Sequence, residues 1–178
     1  NLNNSYVTGL IEDHPDNAVV MFINGVKLMW DDEYEQAIDA MTASIEIEPG
    51  NHMVWEYLAY AYENVGAILH ARDAFINCVL LNAENTYAYD DLAWINNWRS
   101  YWEDTSFSYF GFTMDHPWDD EFRPVGSASP NEGIVESVSV FNEGDDDEWS
   151  MLVRVSWQPV DSASQTAPRL QELISSAL

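Results

Sequence analysis

A short turn-like tripeptide recurs in this chain at a fixed interval of 34 residues. The tripeptides start at residues 15, 49 and 83, read Pro-Asp-Asn, Pro-Gly-Asn and Ala-Glu-Asn, and end in Asn17, Asn51 and Asn85. An interval of about 34 residues is the period of one class of helix–turn–helix repeat. The spacing therefore predicts a stack of helical hairpins if the residues between the turns keep the same period.

The residues between the turns do keep this period. In residues 52–85, seven residues stand where a tetratricopeptide repeat places the same residue types, and an eighth, Cys78, stands where it places alanine; the seven are Trp55, Leu58, Ala59, Tyr62, Gly66, Ala71 and Phe75. The preceding 34 residues match at Gly25, Ala37 and Pro49 and are degenerate at Asn24 and Asp32. This part of the chain closely resembles the tetratricopeptide repeat (TPR) family. The resemblance implies two antiparallel helices in each repeat.

The pattern of apolar and small residues supports helices independently of the resemblance. Apolar residues spaced three and four apart in 18–30, 52–65 and 71–81 predict helices. Small residues at Gly25, Ala37, Ala59, Ala71 and Ala93 would let paired helices approach closely. The fold class expected for the first 104 residues is therefore mainly α, a TPR-type α-solenoid.

The chain divides at about residue 104 in this interpretation. The predicted repeat domain, 1–104, consists of a half repeat at 1–14, full repeats at 18–51 and 52–85, and a half repeat at 86–104. The remainder, 105–178, is predicted to be a β-rich extension that ends in a short helix.

The extension has the sequence pattern of strands. Residues 134–141 and 149–157 alternate between apolar and polar types with period two and are joined by an acidic turn, which predicts a hairpin. Strand-forming aromatic residues fill 106–114, and the proline- and glycine-containing stretch 117–130 is interpreted as turns. A serine-rich linker leads to a predicted helix at 168–178. No family is recognised in this third of the chain.

Stacked repeats of the TPR type present the inner faces of their first helices as a concave groove. Family geometry implies that this groove is lined by Val19, Phe22, Val26, Met29, Met53, Glu56, Tyr60, Glu63, Tyr87, Asp90, Trp94 and Asn97. Family members that hold a C-terminal carboxylate use basic residues at comparable places, whereas this groove carries acids. An extended apolar segment with a basic residue would suit it better. The alternative is that these residues pack against the chain's own C-terminal part.

The two half repeats suggest a second use of the surface. The orphan helix at the start carries Val7 and Leu10, and the aromatic helix at the other end carries Trp98, Tyr101 and Trp102. If one copy completes the other, the contact is head-to-tail and produces rings or filaments. Two functions follow: a self-assembling structural subunit of a secreted or surface structure, and an adaptor that binds a partner's apolar or basic peptide in the groove.

The charge of the chain restricts its partners. Thirty-one acidic residues face six basic ones, for a formal net charge of −25. Such a field repels nucleic acid and anionic membranes and attracts cations and basic surfaces. The expected partner is a protein, other copies of the chain included, with no nucleic acid and no membrane insertion. An extracellular, periplasmic or cell-surface location is favoured, and the cytoplasm of a salt-adapted organism is the alternative.

The sequence carries no motif that predicts catalysis. A nucleophile elbow, a phosphate-binding glycine loop, a dinucleotide fingerprint and paired cysteines are all absent, so we expect a non-enzymatic protein without a cofactor. Asp115, His116, Asp119 and Asp120 are candidate ligands for Ca²⁺ or another divalent cation, although a solvated acidic loop is the simpler interpretation. Cys78 stands where the family has alanine, which predicts a buried structural thiol.

Overall fold

The computed structural model describes residues 4–102, 122–143 and 149–158. Helices fill the first range: α1 (Asn4–Asp13), α2 (Ala18–Trp30), α3 (Tyr34–Ile47), α4 (His52–Asn64), α5 (Ile68–Leu81) and α6 (Thr86–Trp102). Helices α2, α4 and α6 begin 34 residues apart, and so do α3 and α5. The predicted fold class is confirmed: the chain is mainly helical with a small sheet in its C-terminal part.

The recurring asparagine of the turns is the N-cap of the next helix. Its side-chain oxygen accepts a hydrogen bond from a backbone N–H of the first turn: Val20 at 3.1 Å for Asn17, Met53 at 3.1 Å for Asn51, and Ala88 at 3.2 Å for Asn85. The first N–H groups of a helix have no partner within the helix, and asparagine is among the best residues to supply one. The period seen in the sequence is therefore the period at which helices start.

Small residues allow the helices of each pair to pack closely. Ala37, Ala59 and Ala71 are completely buried. At Gly25, an added methyl group would lie 2.6 Å from the Cγ atom of Met41, so the glycine leaves the space that the methionine fills. The main hydrophobic core continues from these contacts through α3, α4, α5 and α6.

The C-terminal part forms an antiparallel sheet with strand order β1–β2–β3, made of β1 (Phe122–Ser129), β2 (Ile134–Glu143) and β3 (Trp149–Trp157). The hairpin of β2 and β3 was predicted. Strand β1 was not, and the interpretation of 117–130 as turns is wrong for this strand. Its Pro124 is tolerated because β1 is an edge strand among the strands that the structure describes, and edge strands accept proline.

The pairing of β2 with β3 contains an irregularity. Val140 pairs with Val153, but the next residue, Phe141, pairs with Met151, so the register shifts by one residue at this point. A shift of this kind interrupts the alternation of faces along a strand. The shift lies at Leu152, within the predicted strand 149–157.

The sheet packs on the last helix of the repeat array. Gly126 of β1 contacts the backbone of Asn96 on α6 so closely that no side chain would fit between them. The amide of the completely buried Asn96 donates hydrogen bonds of 3.0 Å to the carbonyl oxygens of Ser127 and Val135. The chain's own strands thus cover a face of α6.

Several predictions concern residues outside the described ranges. They are the strand at 106–114, the helix at 168–178, and the candidate cation ligands Asp115, His116, Asp119 and Asp120. Tyr101 and Trp102 belong to α6, but their side chains are not described. Within the described part of the chain, no helix combines the length and apolar character needed to cross a membrane.

Candidate functional site

The predicted groove residues divide into an exposed and a half-buried group. The exposed positions are Val19, Met53, Tyr87, Asp90, Trp94 and Asn97, and the half-buried ones are Phe22, Val26, Met29, Glu56, Tyr60 and Glu63. The apolar members of the half-buried group pack against the core. Six of the twelve predicted groove residues are thus half-buried, and four of the six exposed ones lie on α6.

A row of aromatic rings holds the helices of the groove together. Phe22 of α2 contacts Tyr57 of α4 at 5.5 Å between ring centroids, Tyr57 contacts Tyr60 at 6.4 Å, and Tyr60 contacts Phe75 of α5 at 5.3 Å. All three contacts are edge-to-face, which is a favourable geometry for aromatic pairs. These rings position α4 relative to its neighbours and thereby fix the carboxylates that it carries.

A cavity of about 470 Å³ opens between α4, α5 and α6. Its lining consists of Glu63 and Asn64 from the end of α4, Ile68 from the start of α5, and Asp91 and Trp94 from α6. We call this cavity the acidic cleft. Two of its residues, Glu63 and Trp94, were predicted as groove residues; the other three were not.

Both carboxyl groups of the acidic cleft have a raised pKa. Burial raises the pKa of Glu63 to about 7, and the negative charge of Asp91 adds to this effect. Burial also raises the pKa of Asp91, while a hydrogen bond with Tyr60 acts in the opposite direction. Two acids that lack full hydration resist simultaneous ionisation. A cation in the cleft would relieve both effects, and none of the five lining residues supplies one.

A pair of tryptophans lies beside the acids. Trp94 and Trp98, one turn apart on α6, stack with their ring centroids 6.4 Å apart and their planes 10° from parallel. Their exposed fractions are 56% and 40%. An arginine guanidinium stacks on aromatic faces and pairs with carboxylates. The acidic cleft therefore places both recognition elements for this group next to each other.

The carboxylate of Glu56, predicted to line the groove, is engaged within the chain. Its Oε2 atom accepts a hydrogen bond of 2.7 Å from Nδ2 of Asn85, and the hydroxyl of Tyr60 lies 3.5 Å from its Oε1 atom. The same Asn85 nitrogen lies 3.3 Å from Sγ of Cys78, which is completely buried. Burial, with the Glu56 charge as a second cause, raises the pKa of the Cys78 thiol to about 11.

The residues predicted to join copies of the chain have mixed surroundings. Val7 is only 1% exposed and Leu10 is half-buried, because α1 packs against α2 of the same chain. Trp98 is exposed and belongs to the tryptophan pair described above. Val7 thus lies in the chain's own interior, whereas Trp98 is exposed.

Comparisons with known proteins give limited information. No protein-family model matches the sequence, and no curated protein matches it significantly. Among solved structures, the chain is similar to MamA of AMB-1 and to a mutant of MamA, with 22% sequence identity and a TM-score of 0.48 in each case. The similarity covers 52% of this chain and 51% of MamA. The chain thus spans about half the length of those proteins, and a likeness of this degree carries no argument about family or function.

Proposed function

We propose that this chain is a non-enzymatic protein-binding module of the tetratricopeptide type, and that its acidic cleft receives a basic side chain from an extended segment of a partner. The observation that carries the proposal is the cleft itself. Glu63 and Asp91 lie there half-buried, beside the exposed face of Trp94, and none of the five lining residues that the structure describes is basic. The exposed apolar residues Val19 and Met53 on the preceding first helices offer contacts for the rest of the segment.

Physical chemistry favours arginine as the bound residue. Its planar guanidinium makes two parallel hydrogen bonds to carboxylates and stacks on indole rings. Bound there, it would supply the positive charge that the two acids lack. The net charge of −25 would add long-range attraction for basic segments and accelerate their association.

A peptide-binding experiment tests the proposal. The probes are an extended peptide of alternating valine and threonine around one arginine, and the same peptide with citrulline, which keeps the shape and loses the charge. We expect calorimetry to give at least about tenfold weaker binding for the citrulline peptide, since a charge-assisted pair is worth about 1.5–3 kcal/mol. We expect a loss of similar size for the arginine peptide with Asp91→Asn.

The control is Glu84→Gln, which also removes one negative charge without changing the shape of the side chain. Glu84 is exposed and belongs neither to the predicted groove nor to the lining of the acidic cleft, so its loss should reduce affinity only slightly, through the long-range field. Equal losses from the two variants would mean that the peptide is attracted to the acidic surface as a whole. That result would contradict a specific role for the cleft.

Head-to-tail self-assembly, as a structural subunit of a secreted or surface structure, is the second candidate. The exposed aromatic residues Tyr87, Trp94 and Trp98 on α6 favour it, while the covering of another face of α6 by β1 and β2 and the burial of Val7 reduce the surface available. Light scattering at low and high salt tests it. Screening of the −25 charge should promote assembly, and a monomer in both conditions at micromolar concentration would contradict it.

A further inference from the structure

Three side chains with metal-binding atoms meet beside the start of α6. A ring nitrogen of His52, a carboxylate oxygen of Glu56 and Sγ of Cys78 all lie within 4.8 Å of one another. His52 and Glu56 stand one turn apart on α4, and Cys78 faces them from α5. We call these residues the His–Glu–Cys cluster.

The other full repeat shows that the fold does not require these residue types. Thirty-four residues earlier, the equivalent positions hold Ala18, Phe22 and Ser44. There the hydroxyl of Ser44 donates a hydrogen bond of 2.7 Å to the carbonyl oxygen of Ala18, and the same helical hairpin is built without an ionisable group. The concentration of a histidine, a carboxylate and a thiol in the second repeat therefore needs an explanation other than packing.

The hydrogen bonds of the cluster indicate where a cation would bind. Oε2 of Glu56 and Sγ of Cys78 both accept from one nitrogen, Nδ2 of Asn85, so lone pairs of the oxygen and the sulfur converge on the point that this amide occupies, and a metal ion bound there would displace it. Nδ1 of His52 is buried and has no hydrogen-bond partner within the described part of the chain. A buried ring nitrogen without a partner is uncommon and calls for an unseen one.

We propose that the His–Glu–Cys cluster binds a zinc-type divalent metal ion. One nitrogen, one sulfur and one carboxylate oxygen form a donor set that suits Zn²⁺, whereas Ca²⁺ and Mg²⁺ take oxygen ligands. Donor atoms around a four-coordinate zinc ion lie about 3–4 Å apart, so small rotations of the side chains complete the site. On binding, the thiol of Cys78 loses its proton to solvent and forms the metal–sulfur bond, and water takes the fourth position.

Cobalt absorbance of the unmodified chain is the first test. Co²⁺ occupies zinc sites, and a cobalt–thiolate bond gives an intense near-ultraviolet charge-transfer band that carboxylate ligation does not produce. We expect this band to appear at one equivalent of Co²⁺, in the presence of excess Mg²⁺ to saturate surface acids, and to disappear when Zn²⁺ is added. Absence of the band would overturn the proposal.

Two variants borrowed from the first repeat give the second test. Cys78→Ser and His52→Ala introduce the residues found at the equivalent positions of the first repeat, Ser44 and Ala18. The hairpin should therefore still fold, and circular dichroism checks this. We expect each to weaken Zn²⁺ binding at least about tenfold in calorimetry. His70→Gln, which removes an exposed histidine outside the cluster, should leave Zn²⁺ affinity unchanged. Affinity that survives Cys78→Ser, or falls equally with His70→Gln, would overturn the proposal.

Discussion

Glu63 is in an unusual position for an acid. Its carboxyl group is half-buried in the acidic cleft near Asp91, and its pKa rises from 4.5 to about 7. In the unfolded chain the same group titrates near its ordinary value. The folded state therefore holds a proton that the unfolded state releases. The stability linked to this proton is fully present below the unfolded pKa and is lost as pH rises through about 7.

Replacing Glu63 by glutamine should show this linkage. Glu63→Gln keeps the shape and hydrogen-bonding capacity of the protonated acid, so its gain in the free energy of unfolding should be small at pH 5 and clearly larger at pH 8. Urea unfolding at both pH values measures the difference. Glu35→Gln, an exposed acid in the first turn of α3, is the control and should have the same small effect at both. A gain at pH 5 equal to that at pH 8 would contradict the linkage.

At the level of secondary-structure elements, the docking of β1 on α6 depends on a glycine, Gly126, which has no side chain. Gly126 brings the strand backbone against the backbone of Asn96, where nothing flexible can move aside. A methyl group added at this position would force the strand away from the helix. The hydrogen bonds from Asn96 to Ser127 and Val135 would then lengthen as well.

Gly126→Ala should therefore lower the free energy of unfolding by about 1–3 kcal/mol, the usual cost of overpacking. Thermal and urea unfolding followed by circular dichroism measure it. Gly50→Ala is the matched control, since a methyl group there meets nothing within 4 Å and should change stability by no more than about 0.5 kcal/mol. Similar losses from both variants would contradict the close contact of β1 with α6.

The helices could be predicted from the sequence because their signals are local. The repeat period, the Asn caps and the apolar spacing identified α2 and α4 to within one residue at each end, and they identified the start of α6. Strand β1 could not be predicted in this way. Pro124 and Gly126 are turn-forming residues when considered alone, and their use in a strand depends on a sheet edge and on α6, which are contacts between distant parts of the chain.

The candidate site was predictable to a similar extent. Family geometry indicated Glu63 and Trp94, because they occupy regular groove positions. It did not indicate Asp91, whose equivalent in the previous repeat is Tyr57, a residue engaged in ring packing. The approach of His52 to Cys78 was also missed, since they come from different helices and only their relative packing brings them together.

The whole molecule is strongly charged, and this should govern its response to salt. At a net charge of −25, the negative charges of the folded chain repel one another and lower the stability of the folded state. Increasing NaCl from about 0.01 M to about 1 M shortens the Debye length about tenfold, so we expect the Tm to rise by roughly 5 °C or more. Differential scanning calorimetry measures the change. MgCl₂ at equal ionic strength separates screening from specific cation binding, and a Tm that falls with salt would contradict the expectation.

The parallel stack of Trp94 and Trp98 gives the chain an optical property that follows from their geometry. Two indoles 6.4 Å apart and 10° from parallel are close enough for their electronic transitions to couple, and the exciton signal in circular dichroism then depends on the angle between the two transition dipoles within the ring planes. A bound molecule that contacts either ring would change this exciton signal, so binding can be detected without a label. Binding at the edge of the acidic cleft can therefore be followed by the circular dichroism of the protein's own tryptophans.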